Sequence, residues 1–244
     1  MASEVAYDRE LDRGARCIYH KTWIRPPGIN ADIQTTSESV RMIVDPDFEL
    51  LGLNAVSSVA TISTTGGCKL ITTTGATDGA IILPHLDTTQ SGWATTLWDT
   101  AKSIRLETQV LIGTAATCVV AAGFKLTNTS VVATDDDQAY FRYAAADNSG
   151  QWSYVYSIAG TDVTYVVPTS IVAAVAASAR YRLRIEIYSD RTHMAFINDV
   201  PIRAANFAAL TSLTTLIPYP LIVLNASGAA KTETSEWVTV SKLW

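Results

Sequence analysis

Residues 180–188 read Arg180-Tyr181-Arg182-Leu183-Arg184-Ile185-Glu186-Ile187-Tyr188. Tyr181, Leu183, Ile185 and Ile187 fall on one side of a period of two; Arg180, Arg182, Arg184 and Glu186 fall on the other. A helix would scatter those apolar residues around its circumference, so the stretch reads as a strand with one buried and one polar face. Ser189-Asp190-Arg191 then separates it from His193-Met194-Ala195-Phe196-Ile197, and Asn198-Asp199 separates that run from Val200-Pro201-Ile202. Asn and Asp tolerate the positive φ that tight hairpin turns require. Pro201 places the last short strand at a sheet edge, where its missing N–H costs nothing.

The same signals recur along the chain. Ile104, Leu106, Thr108 and Val110 alternate with Arg105, Glu107 and Gln109, and Trp152, Tyr154 and Tyr156 alternate in the same way. Leu221-Ile222-Val223-Leu224 is a continuous apolar run that predicts a strand buried on both faces, and Trp237 to Leu243 predicts a closing strand. Further strands are expected at Val56 to Ser63, Cys68 to Thr73, Ala80 to Leu83, Cys118 to Leu126 and Gln138 to Tyr143. Helix signals are thin: Asn206 could cap a turn or two through Leu210, and Ile171 to Ala177 reads as an irregular strand after Pro168. Many short strands with turn chemistry between them predict an all-β antiparallel sandwich or jelly roll. Residues 1–45 are richer in charge and are broken by Pro26-Pro27-Gly28. They are expected to form an extended N-terminal arm preceding a sandwich domain at 46–244.

Composition narrows the function. Apolar residues make up 48% of the 244 residues and charged residues 17%, which excludes disorder for most of the chain and allows a sizeable core. The formal charge of −5 argues against a nucleic-acid partner, because such domains cluster Lys and Arg. No apolar run approaches the roughly 18 residues that cross a bilayer as a helix. Asp8, Arg9, Glu10, Asp12 and Arg13 stand where a leader peptide would be apolar, so no secretory leader and no membrane partner are expected. Cys17, Cys68 and Cys118 are odd in number and far apart, which suits free thiols made in a reducing cytoplasm.

Catalytic signals are weak. His20, His85 and His193 accompany no Gly-x-Ser-x-Gly elbow, and neither His nor Cys clusters as metal ligands do. Asp135-Asp136-Asp137 could attract a hard cation, but it lacks EF-hand spacing and reads better as a solvated loop. A glycosidase needs two facing carboxyl groups, whereas Glu107 has no neighbouring acid and Glu186 stands among arginines. The arginine stripe reads as one polar sheet face, neutralised by Glu186 and cross-strand partners. Trp93, Trp98, Trp152, Tyr154 and Tyr156 could form a sugar-binding platform, although aromatics at strand spacing more often build a core. Neither an enzymatic activity nor a cofactor is expected.

Tyr181 to Ile187, followed by Ala195-Phe196-Ile197-Asn198-Asp199-Val200-Pro201-Ile202, resembles the concanavalin A-like (laminin G-like) jelly roll. Family members carry a comparable strand and then a strand ending in Asn-Gly or Asp-Gly; Asp199 stands where that Gly would be. Pro218 to Val223 and Trp237 to Val240 fit the family's last two strands. Within that fold, Phe124 to Thr129 and Asp135-Asp136-Asp137-Gln138-Ala139-Tyr140-Phe141-Arg142-Tyr143 resemble stretches in jelly-roll proteins of tailed bacteriophages. The resemblance implies a non-enzymatic virion structural protein, a capsid decoration (cement) protein on the outer surface of the head, synthesised in the host cytoplasm. Its expected partners are the major capsid protein and copies of itself, with a trimer favoured. Tyr7, Arg9, Arg13, Arg16, Tyr19, Trp23 and Arg25 of the arm are the expected partner-binding residues, because Arg and aromatic side chains anchor interfaces. The competing expectation is a carbohydrate-binding module on a phage tail or fibre, with an exposed row drawn from Trp93, Trp98 and Trp152.

Overall fold

The computed structural model describes residues 16–23, 27–29, 45–53, 59–76, 78–84, 98–126, 135–226 and 228–243. The described strands form two eight-stranded sheets packed face to face. The first sheet holds β1 (Arg16–Thr22), β4 (Val59–Ile62), β5 (Cys68–Ile71), β7 (Ile104–Ile112), β12 (Arg180–Ile187), β13 (His193–Ile197), β14 (Val200–Pro201) and β16 (Thr232–Leu243). Its order is β14-β13-β12-β7-β16-β5-β4, and β1 lies beside the second half of β16. The second sheet holds β2 (Pro27–Ile29), β3 (Asp45–Leu53), β6 (Gly79–Pro84), β8 (Cys118–Lys125), β9 (Gln138–Ala144), β10 (Trp152–Ile158), β11 (Thr161–Val166) and β15 (Ile217–Asn225). Its order is β11-β10-β9-β8-β15-β6-β3-β2. Pairing is antiparallel throughout except between β2 and β3. This is the antiparallel jelly-roll sandwich that the alternation and turn chemistry predict.

The core lies between the sheets and is made by alternate residues of facing strands. Leu183, Ile185 and Ile187 of β12 meet Phe141 and Tyr143 of β9 and Trp152 and Tyr154 of β10 in one apolar cluster. Trp152 joins the two sheets: its ring lies 5.9 Å from Tyr143 in its own sheet and 5.5 Å edge-on from Tyr181 in the other. Edge-to-face contacts of this kind suit the aromatic quadrupole.

Several sequence expectations are revised. Residues 206–210 form no helix. Phe207 and Leu210 are both buried, and Phe207 closes an isolated bridge to His193; tertiary burial outweighs a segment too short to nucleate a helix. Residues 171–177 are turns and bends from which Ile171, Val172 and Val175 pack onto the core. The arm is also partly absorbed. Residues 16–22 pair with β16 from Arg16↔Leu243 to Thr22↔Trp237, so this segment is a strand of the sandwich.

Asn198 and Asp199 both take positive φ, 51° and 66°, which a two-residue hairpin turn demands. Gly66 and Gly67 turn the β4–β5 hairpin with φ of 94° and 90°.

Candidate functional site

The outward side of the first sheet gathers polar and aromatic side chains from five strands. Register fixes which of them meet. One cross-strand row runs His20, Thr239, Glu107, Arg184, Phe196 through β1, β16, β7, β12 and β13. The next runs Thr22, Trp237, Gln109, Arg182, and a third runs Ser241, Arg105, Glu186, Met194. A bulge in β16 between Ser235 and Trp237 resets the alternation, so Trp237 turns outward while Val238 and Val240 point to the core.

Glu107 is the centre of this face. It is only 3% exposed, and both Arg105 and Arg182 donate to its carboxylate. Arg182 also pairs with Asp199 at 2.8 Å, and Arg184 pairs with Asp199 at 3.2 Å and with Glu186 at 3.3 Å. Arg180 reaches Glu236 at 2.7 Å, and Gln109 donates to the same carboxylate. The stripe is therefore a neutralised lattice, with Asp199 of the hairpin turn as a partner the sequence pattern did not single out. The guanidinium groups also lie over aromatic rings, Arg184 at 3.9 Å from the Phe196 centroid and Arg182 at 5.7 Å from Trp237.

Beside Glu107 the surface dips into a shallow cleft of about 290 Å³, lined by His20, Thr22, Glu107, Arg182, Trp237 and Thr239. His20 is held in place at both ring nitrogens. Nδ1 lies 2.7 Å from the Thr239 hydroxyl and Nε2 lies 3.3 Å from that of Thr22. The half-buried Trp237 indole supplies one wall. The cleft thus offers a flat apolar surface, two hydroxyls and an imidazole beside the Glu107 carboxyl and the Arg182 guanidinium, groups that can hold a polar ring. An acid–base pair for glycoside cleavage needs one carboxyl that keeps its proton in an apolar setting. Glu107 and Glu186 both lie against guanidinium groups instead.

Three perturbed titrating groups, His193, Glu233 and Cys118, are buried away from this face. Burial lowers His193 to about 4; its Nδ1 lies 2.9 Å from the Tyr154 hydroxyl and its ring stacks on Phe207. Burial raises Glu233 to about 8, opposed by N–H groups of Gly113 and Thr114 that donate to it. Cys118 is pushed up to about 12, first by burial and then by Glu233, so its thiol is a poor nucleophile.

The arm residues fare unevenly. Tyr7, Arg9, Arg13 and Arg25 lie outside the described residues, as do the side chains of Arg16 and Tyr19 on β1. Trp23 is 3% exposed, sits edge-on 4.9 Å from Phe48 and donates to the Ser235 hydroxyl at 3.2 Å. It seals the sandwich and has almost no surface to offer a partner, which removes it from the expected interface. The aromatic platform is revised likewise: Trp98 and Trp152 are 2% and 1% exposed, Tyr154 and Tyr156 are buried, and Trp93 lies outside the described residues. The acidic loop is only partly solvated. Asp136 is exposed, Asp135 pairs with Lys125, and Asp137 accepts from the Thr211 N–H at 2.7 Å. Among the described residues no group of acids, His and Cys is arranged to hold a metal ion.

No family model matches the sequence, and no curated protein matches it. Solved structures do match. A protein of unknown function from Shewanella oneidensis MR-1 aligns over 100% of this chain and 90% of its own, with a TM-score of 0.58 at 8% identity. The Emp46p carbohydrate recognition domain in its potassium-bound form covers 85% of this chain and 93% of its own, with a TM-score of 0.53 at 7% identity. A Bacillus licheniformis β-glucanase covers 74% and 81%, with a TM-score of 0.50 at 9% identity. At such identities the likeness defines the fold, a concanavalin A-like jelly roll, which the strand and turn motifs around Tyr181 to Ile202 predict.

Proposed function

We propose that this chain is a non-enzymatic virion structural protein, a decoration protein that binds and stabilises the assembled phage head. One observation carries the non-enzymatic reading: the carboxylates on the outward face of the first sheet are engaged by arginines, so the face is built to adhere. The stretches Phe124 to Thr129 and Asp135 to Tyr143, with their resemblance to phage jelly-roll proteins, support the assignment to the head. A subunit that binds only the assembled lattice stabilises it by linkage, and a homotrimer adds avidity.

The arm remains the proposed anchor, now confined to Tyr7, Arg9 and Arg13 together with Arg16, Tyr19 and Arg25. A deletion reaching Asp45 would remove β1 and Trp23 and so unfold the body along with the anchor. Deleting residues 1–15 is the clean test. Co-sedimentation with heads assembled from the major capsid protein of the same genome should be lost while the thermal melt is kept. Undiminished co-sedimentation of the truncated chain would refute the arm as anchor.

A second reading, a carbohydrate-binding module on a tail or fibre, is favoured by the Trp237 cleft. Its ligand would be an uncharged sugar ring, stacked on the indole and hydrogen-bonded by the Thr22 and Thr239 hydroxyls, which His20 orients. Glycan-array binding that Trp237→Ala abolishes would support this reading, and silence of the intact protein on the array would remove it.

A further inference from the structure

At the base of the β8–β9 hairpin, Lys125 faces Gln138 across the ladder, with Asp135 shortly before β9. The Lys125 side chain is fully buried, and its Nζ lies 3.3 Å from Asp135 Oδ2. Nζ also donates to Gln138 Oε1 at 3.1 Å and lies 5.9 Å from the centre of the Tyr140 ring. The Asp135 side chain is 6% exposed, and the Leu126 N–H donates to the same Oδ2 at 3.1 Å. Gln138 is itself oriented by donating to Asp162 at 2.7 Å.

Two opposite charges removed from water recover their solvation only in part. Burial pulls the Lys125 ammonium below its ordinary range, with the Asp135 charge pulling the other way. Passing the proton from ammonium to carboxylate leaves a neutral amine beside a carboxylic acid, the two forms that condense. Nζ is in ion-pair contact with Oδ2, which is bonded to the carbon the amine must reach.

We propose that Lys125 and Asp135 join in an intramolecular isopeptide bond. Nζ of the neutral amine attacks Cγ of the protonated Asp135, and a C–N bond forms. The negative charge that develops on Oδ2 is met by the Leu126 N–H. A proton from Nζ passes to the hydroxyl on Oδ1, the Cγ–Oδ1 bond breaks and one water leaves. The product is a secondary amide, and no oxidant, reductant or nucleotide is consumed. Gln138 acts as a positioning residue that holds the amine. The cross-link does not depend on the head-binding reading.

Peptide mapping of the denatured full-length protein tests this. Arg105, Lys125 and Arg142 are the tryptic sites that bracket the pair. An acylated lysine resists trypsin, so the expected product is an uncut peptide 106–142, lighter than its sequence mass by one water, with fragment ions that place the link between Lys125 and Asp135. Lys125→Arg and Asp135→Ala should each abolish the mass deficit and, in the second case, restore cleavage at Lys125. Recovery of peptides 106–125 and 126–142 at full mass would overturn the proposal and leave a buried ion pair only. A water loss confined to 126–142, with Lys125 cleaved and the loss reversed by hydroxylamine, would mark a succinimide and would overturn it equally.

Discussion

The two sheets share one core but differ on their outward sides. On the first, β12 alternates strictly, its arginines and Glu186 outward and Tyr181 to Ile187 inward. On the second, the outward residues Ile81, Leu83, Ala121, Tyr140, Val155, Tyr219 and Ile222 form a second apolar cluster, each 3% exposed or less. A sheet that is apolar on both sides gives up alternation, and β15 is accordingly buried from Pro218 to Val223. The contrast assigns the work. The second sheet is structural on both faces, and the first presents the only described face with a lattice of charged side chains over a cleft.

The largest expected effect tests that lattice. Removing both guanidinium partners of Glu107, as Arg105→Met with Arg182→Met, leaves a buried carboxylate uncompensated and should cost about 3–5 kcal/mol. Adding Glu107→Gln to that pair should recover most of the loss in urea titrations. Equal instability of the triple variant would show that the arginines act through packing alone.

Apolar truncation then separates the two outward sides. Ile222→Ala on the second sheet should cost about 2–5 kcal/mol, as a core truncation does, whereas Met194→Ala on the half-buried first face should cost under about 1 kcal/mol. Similar costs at the two positions would erase the distinction.

The inward side of the first sheet carries its own titrating groups, with opposite signs. His193 prefers to be neutral when folded. It holds its stability above its ordinary value of 6.5 and loses it as pH falls to about 4, a change of about 3 kcal/mol. Glu233 prefers its proton when folded. Its stability is full below 4.5 and is lost as pH rises to about 8. The two slopes cancel between 4.5 and 6.5, so from these groups the stability curve is flat there. It then falls by about 2 kcal/mol toward pH 8. Glu233→Gln should flatten the alkaline fall and expose the rising His193 limb. A Glu233→Gln curve that keeps the alkaline fall would contradict the assignment.

The smallest effect is at the hairpin. Asp199→Gly relieves a positive φ but forfeits the contacts to Arg182 and Arg184, and the two should offset to within about 1 kcal/mol in thermal melts.

What the sequence discloses follows the same division. β12 was legible because one of its faces is polar; β15 gave only an apolar run, with its extra length from Ile217 hidden behind two prolines. β11 is silent in the sequence because Thr161 to Val166 is an edge strand with almost every side chain exposed, and it offers no apolar stripe to read. β1 reads as arm in the sequence because its sheet partner lies at the far end of the chain. The arginine stripe and its neutralisation could be anticipated locally. The cleft could not, since His20, Glu107, Arg182 and Trp237 come from four strands that only register brings together. Trp237 in particular read as a closing-strand residue, and its outward turn depends on a bulge that no local pattern announces.

The central claim is adhesion to an assembled shell, and quantitative co-sedimentation with purified heads addresses it most directly. The account predicts saturable binding at a fixed ratio to the capsid lattice, with unassembled capsid subunits failing to compete. A protein that stays in the supernatant at every head concentration, while an intact polysaccharide is cleaved in its presence, would contradict it.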